Sequence, residues 1–406
     1  MRSLAVVVVL GDVGRSPRMQ YHALSLAEHF RRVVLLGYRG GEAMPEVRAH
    51  DRIEVVALPP PRSLPERASP AALLSTAAGR GADSARLLAA LARTGKPELV
   101  LAQNPPAVPT HLLGVAARAR GARFVIDWHN FSHAMLALKL GPLHPAVRAL
   151  RAAEVGLGRT AHAHLCVSHA LAAALGERFA IPAQVLYDRP WIQTSRPPGA
   201  QRRALLERLG IAPRAEADEP RLLVSPTSFS LDEDMRMLAD AASVYRRARA
   251  ERPGLPPICV LVTGRGPGRA EVEALFVARS TPDVQLRTGW LSAADYRSLL
   301  ASADLGLCLH HSASGLDLPM KVADMFGGGL PVCMLDYGPV VGEQVRDGVD
   351  ALLFRDADDL AAALARVLGG PRDRLESLRR SAQEAGASTW AQGWERAARP
   401  VLLAES

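Results

Sequence analysis

The sequence predicts an α/β protein made of two Rossmann-like, doubly wound domains that face each other across a cleft. Short apolar strands rich in β-branched residues alternate with helical segments, and this alternation occurs twice along the chain. A proline-rich segment separates the two series. The length of 406 residues suits two domains. Continuous apolar strands joined by helices indicate parallel sheets covered on both faces.

The first series of strands fills the N-terminal half of the chain. Its predicted strands are 4–10, 32–38, 52–59, 98–105, 123–130, 163–168 and 183–190. Its predicted helices lie near 17–31, 82–94 and 107–119. The N-terminal run LAVVVVL passes directly into Gly-Asp without a small-residue cleavage site, so we interpret it as a buried strand and not as a signal peptide.

The second series follows a segment, 191–220, that contains Pro197, Pro198, Pro213 and Pro220 and is predicted to be a linker. The second set of predicted strands is 221–228, 257–267, 284–291, 303–310, 330–335 and 350–354. Ligands of such sheets bind at the carboxyl ends of the strands, so strand-end residues are the candidates for function.

Charge and cysteine content narrow the possible partners and compartment. Residues 1–197 carry 24 basic and 13 acidic side chains (+11), and the remainder carries 25 and 28 (−3), which sum to the net charge of +8. A basic first half favours an anionic partner, but the cations are scattered without interleaved aromatic residues, which argues against nucleic acid.

The four cysteines show no metal-binding or disulfide spacing. Since no stretch approaches the roughly 20 apolar residues of a membrane span, we expect a cytoplasmic protein.

Two strand ends in the first half carry polar groups. GDVGRSPRM (11–19) supplies a glycine turn before a helix. An anion could bind at this turn with help from Arg15 and Arg18. Alternatively, Gly14 could simply permit the bend between strand and helix. IDWHN (126–130) places Asp127, His129 and Asn130 after another strand. His129 could move protons or bind sugar hydroxyls, although a single histidine is often structural.

Strand ends in the second half suggest a phosphate site. Thr227 and Ser228 offer hydroxyls to a phosphate, and the backbone at Leu291 could hold a planar base. Asp-Glu-Asp (232–234) imitates a metal-binding motif, but acids at the start of a helix also complement its dipole, and we favour this capping role. GRGPGR (264–269) is predicted to be a turn.

The segment SASGLDLPMKVADMFGGGLPV (312–332) carries Asp317, Lys321 and Asp324 in an otherwise apolar run. Their i, i+4, i+7 spacing places the three side chains on one face if a helix covers all three. Pro319 suits the first turn of a helix, which would instead put Asp317 before the helix, where it could act as a cap. One interpretation of the three charges is that they form a solvated stripe of salt bridges on the helix surface. Lysine is rare here, with three lysines against 46 arginines, so Lys321 indicates a need for a compact ammonium.

The segments 9–27, 126–130, 185–190, 226–234, 303–310 and 314–332 together resemble the chitobiosyldiphosphodolichol β-mannosyltransferase family. The resemblance covers nearly the whole chain. It implies the GT-B fold, GDP-mannose as the nucleotide-sugar donor, a polyprenyl-diphosphate-linked glycan acceptor, and inversion without a metal or other cofactor. It also implies a division into an acceptor domain (1–192), a linker (193–220), a donor domain (221–385) and a C-terminal helix around Trp390 and Trp394 (386–406) that crosses back.

The resemblance also assigns roles to individual residues. Ser314, Gly315 and Lys321 would face the diphosphate, Gly14 and Arg15 would approach it from the first domain, and Asp324 would hold the ribose. Inversion needs a base on the acceptor hydroxyl, for which Asp12 and His129 are both candidates. Two other functions stay open, a nucleotide-sugar epimerase of the same fold and a non-catalytic sugar-nucleotide or glycan-binding protein.

The segment 131–159 mixes apolar residues with cations and almost no acids. Such a segment could lie on an anionic membrane surface, which would make the protein peripheral to the inner face of the plasma membrane. The alternative is a buried or acceptor-lining pair of helices.

Overall fold

The computed structural model describes residues 1–60, 85–211, 219–229 and 233–404. The chain divides into two compact units, the first comprising the residues up to Tyr187 together with the C-terminal segment from Ala391, and the second running from Asp188 to Trp390. The start of the helix predicted near 82–94, part of the predicted linker, and Asp232 lie outside the described residues.

The strands of the first unit are β1 (Arg2–Asp12), β2 (Phe30–Tyr38), β3 (Ile53–Leu58), β4 (Leu99–Asn104), β5 (Arg123–Trp128), β6 (Ala163–Cys166) and β7 (Gln184–Val185). Among the described residues they form one seven-stranded sheet in the order β3-β2-β1-β4-β5-β6-β7. Every pairing is parallel. The valine run of β1 is fully buried because helices cover both faces of the sheet.

The helices of the first unit are α1 (Pro17–Ala27), α2 (Pro45–Arg48), α3 (85–94), α4 (Ala107–Ala119), α5 (Ser132–Leu140), α6 (Pro145–Gly158) and α7 (His169–Phe179). A short 3-10 turn, Val13–Arg15, joins β1 to α1. Pro17 suits the first turn of α1 because that position needs no hydrogen-bonding N–H.

The strands of the second unit are β8 (Arg221–Thr227), β9 (Ile258–Gly264), β10 (Val284–Gly289), β11 (Leu305–Cys308), β12 (Val332–Leu335) and β13 (Ala351–Phe354). Its helices are α8 (Gly199–Arg208), α9 (Met235–Glu251), α10 (Arg269–Arg279), α11 (Ala293–Ser302), α12 (Met320–Gly327), α13 (Ala357–Leu368) and α14 (Arg372–Ala385). Among the described residues the sheet has six parallel strands in the order β10-β9-β8-β11-β12-β13.

Two apolar clusters fill the second unit. One contains Tyr245 and Phe276, and the other contains Leu205, Leu206 and Phe326. The proline-rich segment that suggested a linker therefore includes α8, whose two leucines are buried with the second core. Local composition could not reveal this, because the partners of Leu205 and Leu206 lie far along the chain.

The C-terminal segment contains α15 (Trp390–Gly393), a single π-helical turn (Trp394–Ala398) and α16 (Arg399–Leu403). Trp390 donates its backbone N–H to the Pro190 carbonyl at 3.0 Å within the second unit. Trp394 belongs to the first unit and is buried there.

In each sheet the strand order reverses beside its first strand, between β1 and β4 and between β8 and β11. Doubly wound sheets bind ligands beyond the carboxyl ends of the strands at such a point. Asp12 ends β1, Asp127 lies near the end of β5, and Thr227 ends β8, so the topology gathers the predicted residues of each unit at its ligand-binding edge.

The four cysteines are all buried and free. Of the helices that the structure describes, none combines the length and the apolar character that crossing a bilayer requires.

Candidate active site

Asp127 is the centre of a buried polar cluster in the first unit. Arg18 donates to both of its oxygens, from Nε to Oδ2 at 2.7 Å and from Nη2 to Oδ1 at 2.9 Å. His22 Nε2 and His129 Nε2 lie 3.2 and 2.9 Å from Oδ2. Burial would raise the pKa of the Asp127 carboxyl, but Arg18 and the two histidines hold it well below its usual range. Asp127 is therefore an ionised, fully buried acceptor.

Arg18 has a different role from the one that the sequence suggested. It is buried, and besides its bidentate bond to Asp127 it donates from Nη1 to the Leu186 carbonyl at 2.9 Å. The expectation that it helps to bind an anion beside Arg15 is wrong, because its guanidinium is used as the internal counterion of Asp127.

The protonation of His22 follows from its neighbours. The indole Nε1 of Trp394 donates to His22 Nδ1 at 3.1 Å, and an indole N–H can only donate. His22 Nδ1 is therefore the acceptor and Nε2 carries the proton that is given to Asp127. Burial lowers the pKa of His22, which favours this neutral form.

His129 combines a fixed nitrogen with an accessible ring. A carboxylate can only accept, so His129 Nε2 donates to Asp127 Oδ2. The backbone N–H of His129 donates to the Asn104 carbonyl at 2.8 Å, which positions the residue beyond the end of β5. The side chain is 21% exposed. With Nε2 committed, Nδ1 remains as the nitrogen that can accept a proton.

Asp12 and Gly14 are engaged in organising a loop. Asp12 Oδ1 accepts from the N–H of Gly14 at 2.9 Å, and both carboxylate oxygens accept from the N–H of Gly41, at 2.9 and 2.8 Å. A Cβ added to Gly40 would lie 2.1 Å from Asp12 Oδ2. A Cβ added to Gly14 would lie 2.4 Å from the carbonyl carbon of Gly41. These glycines permit the close approach of the 40–41 loop to the turn after β1, beside which Arg15 is exposed.

In the second unit the corresponding centre is Glu233, which the sequence analysis had treated only as part of an acidic helix start. Lys321 donates its ammonium to Glu233 Oε1. Glu233 Oε2 accepts from the Thr227 hydroxyl at 2.6 Å and from the Ser228 N–H at 3.2 Å. Glu233 is 6% exposed. The structure thus brings Thr227, Ser228 and Lys321 together, through a residue whose role only its position in space reveals.

The neighbouring Asp234 behaves as predicted. Its Oδ1 accepts from the N–H groups of Arg236 and Met237 at 2.9 and 3.2 Å, so it caps α9. The capping interpretation of the acidic run is confirmed at this position.

Asp317 lies before α12 and does not cap it. The helix begins at Met320, its N-cap residue is Pro319, and no side chain accepts a capping bond there. Asp317 instead accepts from the Ser312 hydroxyl and lies 3.1 Å from His310 Nε2. The helix therefore carries Lys321 and Asp324 but not Asp317, and the single face of three charges does not form.

Serine hydroxyls organise the loop before α12. Ser312 Oγ accepts from the N–H groups of Gly315 and Leu316 at 2.9 and 3.2 Å, and Ser314 Oγ accepts from Leu316 at 3.2 Å. Gly315 has φ +72°, and a Cβ there would meet open space. The two N–H groups are thus held by serine hydroxyls in this conformation, and the Ser312 O–H in turn donates to Asp317.

Asp324 lies one turn beyond Lys321 on α12. Burial and the nearby Asp188 carboxylate raise the pKa of Asp324 to about 7, while a hydrogen bond with Tyr296 and the charge of Arg297 act in the opposite sense.

The α12 helix ends at Gly327, and Gly329 has φ +62°, which confirms the glycines as the helix stop.

The GRGPG turn is closely packed against the end of β8. A Cβ on Gly264 would lie 1.8 Å from the Thr227 carbonyl oxygen, and one on Gly266 would lie 1.7 Å from that of Ser228. The turn prediction is therefore confirmed, and its glycines fix the backbone beside Thr227 and Ser228.

Leu291 is half-buried against the second core cluster. It follows the exposed Trp290, and the Arg265 guanidinium lies 4.1 Å from the centre of the Trp290 ring.

Two family models match the chain, a glycosyl transferase 4-like domain over residues 13–188 and a glycosyl transferase-like domain over residues 240–396.

Three curated relatives extend the likeness to nearly the whole chain. The chitobiosyldiphosphodolichol beta-mannosyltransferase of Mus musculus is 37% identical over 98% of this chain and 88% of its own. That of Arthroderma benhamiae is 41% identical over 86% of this chain and 82% of its own. The Arabidopsis thaliana protein named UDP-glycosyltransferase TURAN is 37% identical over 99% and 97%.

Solved structures show the fold. Anabaena Alr3699/HepE in complex with UDP and glucose has a TM-score of 0.70 at 16% identity and covers 98% of both chains. WaaG, a glycosyltransferase involved in lipopolysaccharide biosynthesis, has a TM-score of 0.66 at 14% identity and covers 99% of this chain and 100% of its own. The prediction of two Rossmann-like domains of the GT-B class is thus confirmed. The chain is a glycosyltransferase and belongs to the chitobiosyldiphosphodolichol beta-mannosyltransferase family.

Proposed function

We propose that the protein transfers mannose from GDP-mannose to a polyprenyl-diphosphate-linked glycan, with inversion and without a metal. The observation that carries the proposal is the His129–Asp127 pair, in which a buried carboxylate 2.9 Å from Nε2 orients an accessible imidazole beyond a strand end. Inverting transfer needs a positioned base for the acceptor hydroxyl, and an accessible imidazole held by a buried carboxylate supports that role.

His129 is the better of the two predicted bases. Asp12 accepts the Gly14 and Gly41 N–H groups with both of its oxygens, so protonating it would weaken the bonds that hold the 40–41 loop. In the proposed reaction the acceptor hydroxyl attacks the anomeric carbon, its proton passes to His129 Nδ1, and the bond from the anomeric carbon to the diphosphate oxygen breaks. The nucleoside diphosphate leaves with the electron pair.

The second unit is proposed to bind the donor. Lys321 has three N–H donors, of which Glu233 takes one, so the ammonium can contact the diphosphate while remaining fixed. The Ser314 hydroxyl is proposed as a further donor. Thr227 and Ser228 donate to Glu233, and the Gly315 N–H donates to Ser312, so these residues are proposed to shape the donor site. Charge develops on the leaving diphosphate, and fixed donors in a partly buried site stabilise it.

Asp324 is proposed to accept hydrogen bonds from the ribose hydroxyls, and Leu291 to lie against the base. On the side of the first unit, Arg15 is proposed to contact the donor phosphates, and Gly14 to shape the turn that carries it. UDP is the specific alternative to GDP as the donor nucleotide. One relative is named a UDP-glycosyltransferase, and a fold neighbour was solved with UDP.

A donor and acceptor panel tests the proposal. Purified protein is incubated with GDP-mannose, UDP-glucose or UDP-N-acetylglucosamine, with and without polyprenyl-diphosphate chitobiose, and nucleoside diphosphate release and product anomeric configuration are measured. We expect GDP release only with GDP-mannose and acceptor together, and a β-linked product. UDP release would refute GDP-mannose as the donor. Donor epimerisation without acceptor would indicate an epimerase, and binding without turnover a non-catalytic protein.

The proposed acceptor is attached to a lipid, so the enzyme must work at a membrane surface. We propose a cytoplasmic location with peripheral contact to an anionic bilayer.

A further inference from the structure

Helix α5, Ser132–Leu140, is mostly apolar and is only partly covered by the first unit. Ser132 is buried, five of its nine residues are half-buried, and Met135, Leu138 and Lys139 are exposed. Met135 and Leu138 lie three residues apart on one face and are 48% and 70% exposed, and Leu143, in the turn after the helix, is 87% exposed. Large apolar side chains gathered outside a core mark an interaction surface.

Among the described residues, helices α4, α5 and α6 carry cations and no accessible acids, and the exposed Glu177 follows on α7. Between residues 99 and 176 the sequence contains two acids, Asp127 and Glu154, and both are fully buried. The same stretch contains seven cations, namely Arg118, Arg120, Arg123, Lys139, Arg148, Arg151 and Arg159. Helices α4, α5 and α6 therefore present positive charge and no carboxylate to their surroundings.

Glu154 fixes the orientation of α5. Located on α6, it accepts from the Ser132 N–H at 2.8 Å and from Asn104 Nδ2 at 2.7 Å through Oε1, and its Oε2 lies 2.6 Å from His133 Nδ1. Although burial would raise the pKa of Glu154, these hydrogen bonds lower it. The ionised carboxylate thus holds the first turn of α5 against α6, and the apolar side chains beyond that turn project outward.

The outer face of α6 forms a shallow groove of 440 Å³ with an apolar floor and a cationic rim. Val155 and Phe179 contribute to the floor, while Arg148, Arg151 and Arg159 line the rim. The Arg151 guanidinium lies 5.3 Å from the centre of the Phe179 ring, and Arg159 donates from Nε and Nη2 to the Phe179 carbonyl at 2.9 and 2.8 Å. Guanidinium groups anchored around an apolar floor suit a phosphate group attached to a hydrocarbon body.

We propose that the α5–α6 face, defined by Met135, Leu138, Lys139, Leu143 and the α6 groove, docks on a bilayer of anionic phospholipids. The apolar side chains enter the interfacial region, and the cations contact lipid phosphates. Nucleic acid would use the charge but not the protruding aliphatic side chains. This docking face rests on the proposed peripheral membrane contact, and vesicle binding tests it apart from the transfer reaction because it requires no donor, acceptor or catalysis.

Vesicle co-sedimentation of the full chain tests the proposal. Phosphatidylcholine vesicles with and without phosphatidylglycerol are compared at low and at physiological salt. We expect binding that requires phosphatidylglycerol and weakens with salt. Arg148→Gln/Arg151→Gln should weaken it about 25-fold, at roughly fivefold for each cation. Leu138→Ser/Leu143→Ser should weaken it about tenfold or more, because both side chains leave the interface.

Matched controls lie in the second unit. Val277 is 80% exposed and Arg246 and Arg247 are exposed on α9, so Val277→Ser and Arg246→Gln/Arg247→Gln should bind vesicles as the unchanged chain does. Failure of the unchanged chain to bind anionic vesicles at low salt would overturn the proposal, as would α5–α6 variants that bind normally. If those variants bind vesicles normally but raise KM for a long-chain acceptor in detergent, the face holds the acceptor's lipid tail and the bilayer proposal is wrong.

Discussion

The indole of Trp394 and the imidazole of His22 join the C-terminal segment to the Asp127 cluster. Trp394 Nε1 donates to His22 Nδ1 at 3.1 Å, and His22 Nε2 lies 3.2 Å from Asp127 Oδ2. Because Asp127 also orients His129, a residue close to the end of the chain takes part in positioning the proposed base. The π-helical turn that begins at Trp394 is a local irregularity of the kind often associated with functional positions.

Trp394→Phe should lower kcat with little change in KM for the donor. The substitution removes the donor that fixes the His22 tautomer, so the neutral ring can place its proton on Nδ1 and leave Asp127 one hydrogen bond short. We expect kcat to fall about three- to tenfold and the free energy of unfolding to fall by about 1–3 kcal/mol, the usual penalty for a buried unsatisfied polar group. Trp390→Phe, which alters a buried indole of the second unit, is the control. An equal loss of kcat in both variants would assign Trp394 a purely structural role.

His129→Gln should reduce kcat at least about 100-fold, the usual contribution of a general base. The glutamine amide can still donate to Asp127, so thermal stability should change little, and donor binding measured by calorimetry should persist. Asp12→Asn is the comparison, since asparagine keeps one acceptor for the N–H groups of Gly14 and Gly41. Retained activity in His129→Gln, with loss of activity in Asp12→Asn, would transfer the role of base to Asp12.

The residues that the sequence placed well are those whose surroundings are local. The β-branched run of β1 predicts a buried strand, helix α4 begins and ends at its predicted residues Ala107 and Ala119, and the glycines after α12 stop it. In each case neighbouring residues along the chain set the backbone conformation through propensity, periodicity or a permitted positive φ.

The residues that the sequence misassigned have distant partners. Arg18 and Asp127 lie 109 positions apart, and Lys321 and Glu233 lie 88 apart. A charge in an apolar pattern must be compensated when it is buried, but the pattern does not show whether the counterion is a ligand or another side chain. The sequence therefore predicts an external anion for Arg18 and only a helix-capping role for the acidic run that contains Glu233. The rarity of lysine in this chain was the one local indication that Lys321 is special.

Lys321 and Glu233 should show strong coupling in stability but not in activity. Lys321→Met leaves a buried carboxylate without its cation, so we expect the free energy of unfolding to fall by about 3 kcal/mol or more. The double substitution Lys321→Met/Glu233→Gln removes both charges and should recover much of that stability. The kcat/KM for the donor should stay at least about tenfold low in both variants, since the diphosphate has lost its ammonium. Recovery of activity together with stability would show that Lys321 only balances Glu233.

Lys321→Arg tests whether a compact ammonium is required. Arginine keeps the charge, so stability should remain closer to that of the unchanged chain than in Lys321→Met. Its planar guanidinium is larger and donates in a fixed fork, which cannot bond Glu233 and the diphosphate as a small ammonium can. We expect kcat/KM to remain low, measured with the donor as the varied substrate. Full activity would contradict the argument from lysine rarity.

Asp324 should make donor binding and stability respond oppositely to pH. Its pKa is raised to about 7, so between the pKa of an unfolded aspartate and about 7 the folded protein binds the extra proton. Its contribution to stability is fully present below the unfolded pKa and is lost as pH rises through 7. Ribose hydroxyls donate to the ionised form, so donor affinity should increase over the same rise in pH.

Asp324→Asn separates the two effects. The substitution removes the titrating carboxyl, so we expect the gain in the free energy of unfolding of the unliganded protein to be larger at pH 8 than at pH 5, by roughly 2–3 kcal/mol. The same variant should bind the donor more weakly at pH 8 and lose the rise in affinity between pH 6 and pH 8, as measured by calorimetry. Asp317→Asn is the matched control, because Asp317 lies outside α12 and accepts from Ser312 in the preceding loop. A normal pH dependence of donor binding in Asp324→Asn would remove Asp324 from the ribose site, whatever happens to stability.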